Sequence, residues 1–360
     1  MYLNSFNYFR ALACVLVVAG HTLIKTGLII NTTFELTILN IITGGSILFV
    51  FISGFLFHHI YYEKFDYQSF ISLKFVKLII PYTFIGIFSI SYRIYTKSYS
   101  SDECFFPFRP IGTGLYNEII VPAVKYYFSG NHITTHWFIP FIFLTFLLSP
   151  LHIYFIKLNK YFQLFFIFVL SIVSIFIHRP IHNFNTLQSL IYYSPIYLLG
   201  IFCSINQLTI YEKLRNKEYL LLVIIVFIAA VEWVSNDFGS YEKYIKPNGV
   251  IDLMFIQKVF MCLFFTVFLH RFENIKIHSL QILASASYPI FLFHPILIKI
   301  TLDMFYKLTG NRLSIDSWTI YFIFTFFIIV FCVIIIKFIK LLISNKSSYI
   351  LGCWVEVALF

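Results

Sequence analysis

Apolar residues run through this chain in long blocks that are separated by short polar segments. A helix that crosses the hydrocarbon core of a bilayer needs roughly 20 mostly apolar residues. Ten blocks approach this length. The pattern predicts ten membrane-spanning helices, placed near Tyr8–Ile29, Ile38–Tyr61, Phe75–Tyr95, His136–Ile156, Tyr161–Ile177, Leu187–Ile205, Glu218–Ser235, Ile251–His270, Leu280–Leu302 and Trp318–Ile343.

The composition strengthens this prediction. Of the 360 residues, 59% are hydrophobic and 12% are charged. An ordinary soluble domain has roughly 45–50% apolar and about 25% charged residues. A cytosolic enzyme, a disordered protein and a secreted disulfide scaffold are therefore excluded. We expect an all-α, polytopic membrane protein whose first apolar block stays as a helix, because it lacks the cleavage site of a signal peptide.

The net charge of +10 bears on topology rather than on nucleic acid, because Lys and Arg lie mostly in short loops between apolar blocks. With both termini in the cytoplasm, inside segments hold 13 of these residues and outside segments hold 11. The outside number falls to 7 when the long loop Arg93–Thr135 is omitted. We therefore predict cytoplasmic termini. The six Cys show no metal-binding spacing, and no metal is expected.

The loop Arg93–Thr135 is the largest segment expected outside the membrane. It is rich in turn residues at Phe105–Gly114, and the stretch Tyr116–Phe128 is predicted to form an interfacial helix. Long loops are often functional. The loop is interpreted either as a lid over a site that faces outward or as a connector.

The first block contains an intramembrane Arg–His pair, in FNYFRALACVLVVAGHTL. Arg10 and His21 are eleven residues apart, which places them on nearly the same helix face and about 16 Å apart along the axis. Separately, Arg10 is explained by snorkelling and His21 by a hydrogen bond between helices. Together they favour a site, since a neutral imidazole in a cavity can accept a proton from a hydroxyl nucleophile.

Five more polar or aromatic residues gather toward the predicted outer half of the membrane. They are His294, Lys258, Glu232, His136 and Trp137. Ionisable residues inside a membrane are candidates for a functional site. The structural alternatives are an ion pair between Glu232 and Lys258 and an interfacial anchor at Trp137.

Two further elements lie nearer the predicted cytoplasmic side. Lys74 and Lys77 precede a proline in LKFVKLIIPY, where they either follow the positive-inside rule or bind phosphates. The second block, GGSILFVFISGFLF, is rich in small residues that include Ser53 and Gly54. These either permit close helix packing or bring the backbone close to a thin ligand.

Taken in order, these segments resemble the membrane acyltransferase family 3. The hallmark of that family, an Arg, ten residues and a His, is matched by Arg10 and His21. Further segments resemble family elements in the family's order, from residue 6 to about 352: FVFISGFLF, LKFVKLIIPY, HWFIPFIFL, YSPIYLLGI, SYPIFLFHPIL and KSSYILG. The basic element has Lys where Arg is commoner, which removes the bidentate fork of the guanidinium.

The resemblance implies a single membrane domain over residues 1–352, followed by a short tail, 353–360. It also implies an O-acyltransferase that usually uses acetyl-CoA. By position, His21 would be the catalytic base and Arg10 would hold or orient the acyl donor. Lys74 and Lys77 would contact the phosphates of CoA, with Ser53 and Gly54 beside the donor. His294 matches a family position to which we assign no role.

The sequence therefore predicts an integral-membrane O-acetyltransferase in the bacterial cytoplasmic (inner) membrane. Acetyl-CoA would be a substrate rather than a bound cofactor. The acceptor would be a sugar hydroxyl of O-antigen, capsule, exopolysaccharide or common antigen, or of a lipid-linked precursor. No nucleic acid is expected as a partner. One alternative is a transporter or flippase of a lipid-linked sugar or small acid, with His21, Lys258, Glu232 and His294 as a proton relay. Another is a membrane scaffold.

Overall fold

The computed structural model describes residues 3–96, 110, 112–234, 242–243, 251–311, 313–343 and 347–352. This part of the chain is a bundle of helices joined by short turns. The helices are α1 (Asn4–Thr26), α2 (Thr33–Ile42), α3 (Ser46–Leu56), α4 (Tyr67–Lys74), α5 (Ile80–Tyr95), α6 (Val121–Ser129), α7 (Phe138–Leu147), α8 (Ser149–Lys157), α9 (Lys160–Ile177), α10 (Thr186–Ile205), α11 (Gln207–Leu214), α12 (Glu218–Val234), α13 (Leu253–His270), α14 (His278–Thr309), α15 (Trp318–Ile343) and α16 (Ser347–Leu351).

The all-α, polytopic class predicted from the sequence is confirmed. Within the described residues, eight helical segments are long and apolar enough to cross a membrane. A ninth is the pair α7 and α8, which is bent by 56° at its break. The seventh predicted span corresponds to α12, which has 17 residues and a length of about 26 Å.

The second and third spans begin earlier than the apolar pattern indicates. The second runs over Thr33–Lys64 and the third over Tyr67–Tyr95. Polar capping residues begin both helices: Thr32 and Glu35 form a reciprocal capping box, and Asp66 accepts a hydrogen bond from the backbone N–H of Ser69 at 2.8 Å. The apolar blocks omit these first turns because their residues are chosen for capping rather than for hydrophobicity.

Part of the long predicted outer loop is helical. A π-helical turn at Tyr116–Ile120 leads into α6, close to the interfacial helix predicted over Tyr116–Phe128. Most of the turn-rich stretch Phe105–Gly114 lies outside the described residues, as does the tail 353–360.

Helix α1 lies inside the bundle, packed by α13, α14, α15 and α3. Its buried side chains include Phe9, Ala13, Val17 and Val18, none of which is more than 7% exposed. Burial on several sides fixes the rotation of α1. Arg10 and His21 are consequently held inside the protein rather than turned toward lipid.

A close crossing of α3 and α10 joins two parts of the core. A Cβ atom on Gly54 would collide with the backbone carbonyl of Tyr197, and one on Gly200 would collide with the carbonyl of Phe51. Neither contact can relax by a side-chain rotation. Gly54 therefore fits the packing alternative that the sequence left open for the small residues of the second span.

We expect Gly200→Ala to lower stability by about 1–3 kcal/mol, the range for overpacking a close-packed interior. The measurement is thermal unfolding of the protein in nanodiscs. Gly20→Ala is the matched control, since a Cβ there meets its nearest atom, the carbonyl oxygen of Ile42, at 3.9 Å. Equal melting temperatures for the two variants would contradict the close approach of α3 and α10 at Gly200.

Candidate active site

A cavity of about 1810 Å³ opens toward the predicted outer side of the bundle and extends sideways along α5, α14 and α15 as far as Ile350 on α16. It is lined by one face of α1 from Leu16 to Lys25, by the turn Thr43–Ser46, by the segment Asn131–Thr135 and by parts of α5 and α14. Ordinary ligand pockets measure about 300–1,000 Å³. This cavity, which we call the His21 cavity, has room for two substrates.

His21 and His294 form a pair at this cavity. His21 lines the cavity and is partly exposed to it. The ring of the fully buried His294 is 5.3 Å from that of His21, centre to centre. Nδ1 of His294 must donate its hydrogen bond of 2.8 Å, because its partner is the carbonyl oxygen of Ile290. Nε2 is then an acceptor, and it has no partner among the described residues.

Pro295 explains how the segment before α7 is attached to α14. A proline has no N–H, so the carbonyl of Phe291 loses its helical partner. Thr135 Oγ1 donates to that carbonyl at 3.1 Å, and His136 Nε2 donates to the carbonyl of Leu292 at 3.2 Å. The predicted site residue His136 is thereby attached to α14 at Leu292, two residues before His294.

A second histidine contact lies behind His136. Because Nε2 of His136 donates, its Nδ1 accepts, and its partner at 2.9 Å is Nε2 of His132. His132 lines the cavity and was not singled out from the sequence. The i, i+4 spacing of His132 and His136 was the available signal. Within the described part of the chain, no three His, Cys, Asp or Glu side chains are arranged to hold a metal ion.

Trp137 and Arg179 form an aromatic and cationic wall of the cavity. The guanidinium carbon of Arg179 lies 5.0 Å from the centre of the Trp137 ring. Arg179 also donates from Nε to Asn183 Oδ1 at 2.7 Å and pairs with Glu242 at 3.6 Å. Strands β1 (Arg179–Pro180) and β2 (Glu242–Lys243) pair in parallel, which places Arg179 beside Glu242. Arg179 was not among the site residues predicted from the sequence.

Lys258 stabilises the turn that faces His21. Its Nζ donates to the carbonyl oxygens of Asn40 at 3.0 Å and Ile41 at 2.8 Å, at the C-terminal end of α2. The buried Glu232 lies close enough to attract Lys258 electrostatically. Both residues therefore lie on the side of the Thr43–Ser46 turn that faces away from the cavity, and neither lines the cavity.

We expect Lys258→Met to destabilise the protein by about 1–3 kcal/mol, because it removes the donor that Lys258 supplies to the carbonyl oxygens of Asn40 and Ile41 and the cation that attracts Glu232. The double variant Lys258→Met/Glu232→Gln should recover part of this loss. Thermal unfolding in nanodiscs gives the comparison. A double variant no more stable than the single one would show that the charge pair does not act as a unit.

Three cations lie together at the predicted cytoplasmic end. Lys74 lies close enough to Lys77 and to Arg10 for both to repel it. Arg10 Nη2 donates to Ser287 Oγ at 3.2 Å. Lys74 Nζ sits in an aromatic box, 4.6 Å from the centre of the Tyr61 ring and with Phe70 and Phe146 on its other sides.

The two predicted groups of site residues are thus at opposite ends of α1. The cavity reaches inward along α1 to Leu16, and Arg10 lies about 9 Å further along the axis. Ser53, partly buried, and Gly54 lie on α3 at the height of the α10 crossing. Their assignment to the acyl donor stays a prediction.

Comparison with known proteins identifies the family. The sequence model of the acyltransferase 3 family, described as an acyltransferase domain, matches residues 3–337. No curated protein and no solved structure gives a significant match. The match covers nearly the whole helical bundle, including α1, the 131–137 segment and α14. This multi-pass helical membrane protein belongs to the acyltransferase 3 family and is a membrane acyltransferase.

Proposed function

We propose that the protein is an O-acetyltransferase of the bacterial cytoplasmic membrane. It moves an acetyl group from acetyl-CoA to a sugar hydroxyl of a cell-surface glycan or its lipid-linked precursor. The observation that carries this proposal is the arrangement along α1. A basic cluster at one end and a histidine in a large cavity at the other are about 16 Å apart.

The basic cluster suits the phosphates of the donor. Arg10 provides a planar fork of donors, and Lys77 and Lys74 add positive charge beside it. The narrow pantetheine arm then runs along α1 toward the cavity. Because Cys14 is only 2% exposed on this path, its passage requires α1 and its neighbours to move apart.

His21 acts as the general base. It takes the proton of the sugar hydroxyl as the oxygen attacks the carbonyl carbon of the thioester. The carbon–sulfur bond breaks, and the CoA thiolate takes the proton back from the imidazolium. The products are the O-acetyl sugar and CoA with a free thiol, with no net proton change.

His294 positions His21 in this proposal. Its Nε2 is an acceptor beside His21 and without a partner among the described residues. The two rings are in contact but not hydrogen-bonded in this structure; when they move closer, Nε2 of His294 accepts from a ring N–H of His21 and leaves the other nitrogen of His21 facing the hydroxyl. Trp137 and Arg179 form the wall against which the acceptor sugar lies, since a planar ring and a planar cation offer a broad surface with hydrogen-bond donors.

The test uses membranes that contain the protein and acetyl-CoA labelled in the acetyl group. We expect label in the lipid-linked or polysaccharide fraction, and none in membranes without the protein. The same assay with CoA labelled in its adenine tests whether only the acetyl group moves. Movement of a sugar or acid across vesicles without acetyl-CoA, with no label transferred, would instead support a transporter.

A further inference from the structure

The His21 cavity continues sideways between α5 and α14. Two stripes of residues face each other there: Phe84, Phe88 and Tyr92 on α5, and Ile296, Lys299 and Ile300 on α14. The α5 residues are four apart, and Lys299 and Ile300 follow Ile296 by three and four residues, which places each stripe on one helix face. We call this continuation the lateral groove.

The lateral groove opens toward the bilayer rather than toward water. Both helices lie within membrane-spanning segments. Phe88 is 65% exposed and Tyr92 58% exposed, and in a membrane this exposed surface meets lipid. Ile339, Ile343 and Ile350 line its other end, near the predicted cytoplasmic side. The groove is therefore apolar over most of the thickness of the membrane.

Positive charge is concentrated at the outer end of the lateral groove. Lys299 lies about 32 Å along α14 from His278, which begins the helix. Since the hydrocarbon core is about 30 Å thick, Lys299 reaches the level of the lipid headgroups. Its Nζ is 5.4 Å from the centre of the Tyr92 ring, and Arg93 and Lys25 also line this part. Asp303 also lines this end.

We infer that the acceptor reaches His21 from the side, as a sugar joined through phosphate to an isoprenoid lipid. The tail lies along the aromatic stripe of α5, the phosphate meets Lys299, and the sugar extends into the His21 cavity. Lys299 is about 7.5 Å along the axis from His294, a distance that one or two sugar rings span. This inference rests on the proposed function.

The shape and charge of the groove favour this lipid over a diacyl phospholipid. A single stripe on each helix encloses one chain rather than two. The groove also leads directly into a cavity with an aromatic and cationic wall, which a sugar can occupy and a small headgroup leaves empty. Positive charge at the mouth complements the phosphate that a lipid-linked sugar carries next to its tail.

The test measures lipid binding by native mass spectrometry of the protein released from nanodiscs of neutral lipid. The probes are a polyprenyl phosphate, the corresponding polyprenol and dioleoyl phosphatidylglycerol. We expect the polyprenyl phosphate to bind most tightly and Lys299→Gln to weaken it about tenfold, as for loss of one charge-assisted contact. Lys307→Gln, which removes an exposed lysine of the same helix, should leave binding unchanged.

A second variant separates charge from shape. Ile300→Trp fills the groove from the α14 side and should exclude both the polyprenyl phosphate and the polyprenol, without changing the charge. The inference is overturned if phosphatidylglycerol binds as tightly as the polyprenyl phosphate. It is also overturned if Lys299→Gln and Lys307→Gln have the same effect.

The outcomes distinguish this inference from the proposed function. Lipid binding that depends on Lys299, without transfer of acetyl label, would support the lateral groove and contradict the proposed acetyl transfer. Acetyl transfer that depends on His21, with lipid binding unchanged by substitution of Lys299 or Ile300, would support the proposed enzyme and contradict the lateral groove. Each variant is first compared with the unaltered protein in thermal unfolding, so that a folding defect is recognised.

Discussion

Replacing His21 with alanine should reduce acetyl transfer by at least about 10²–10⁴-fold, the usual contribution of a general base. The imidazole faces the cavity from α1, and alanine removes the group that accepts the proton of the hydroxyl at this position. Binding of acetyl-CoA should change little, because the basic cluster lies at the other end of α1. The measurements are transfer of labelled acetyl groups and donor binding in nanodiscs.

The control for this variant is His278→Ala, which removes an exposed histidine at the start of α14. It should retain normal transfer. His294→Ala should have an intermediate effect, because it removes the group that positions His21 rather than the base itself. Full activity of His21→Ala in protein of normal stability would exclude His21 as the base.

The second large effect is expected for Arg10→Ala. Loss of hydrogen bonds from a guanidinium to phosphate costs about 1.5–3 kcal/mol, which corresponds to a rise in KM for acetyl-CoA of about 10–150-fold. The value of kcat at saturating donor should fall much less. Arg10→Lys should lie between the two, since it keeps the charge but loses the fork.

Arg215→Ala is the matched control, because Arg215 is an exposed arginine on the same predicted side of the membrane. It lowers the local positive charge without touching the cluster of Arg10, Lys74 and Lys77. A normal KM with a reduced kcat in Arg10→Ala would indicate that Arg10 acts on the reaction rather than on the donor. Equal effects of both variants would reduce its role to general attraction of an anion.

Much of the fold was predictable because its main constraint is local. A bilayer selects apolar residues one span at a time, so the blocks of the sequence indicate the helices directly. The apolar pattern does not indicate residues 33–37 and Tyr67–Lys74, where polar capping residues begin the helices. Capping depends on backbone hydrogen bonds that hydropathy does not measure.

Part of the candidate site was also predictable. Arg10 and His21 share one helix, and the 3.6-residue period alone places them on one face. His136 and Trp137 were predicted as site residues because they are polar and aromatic residues at the edge of a span. Arg179 and His132 did not, because each resembles an ordinary turn residue until the cavity shows what it faces.

The pattern of residues was enough to predict the class of protein, the course of most spans and an Arg–His pair on α1. Which groups meet depends on tertiary packing. His21 and His294 are 273 residues apart in the chain, and Lys258 bonds the carbonyl of Asn40 across 218. The rotation of each helix and the donor that meets the carbonyl freed by Pro295 depend on packing of the whole bundle. No local pattern records those contacts, because each needs surfaces from distant segments at once.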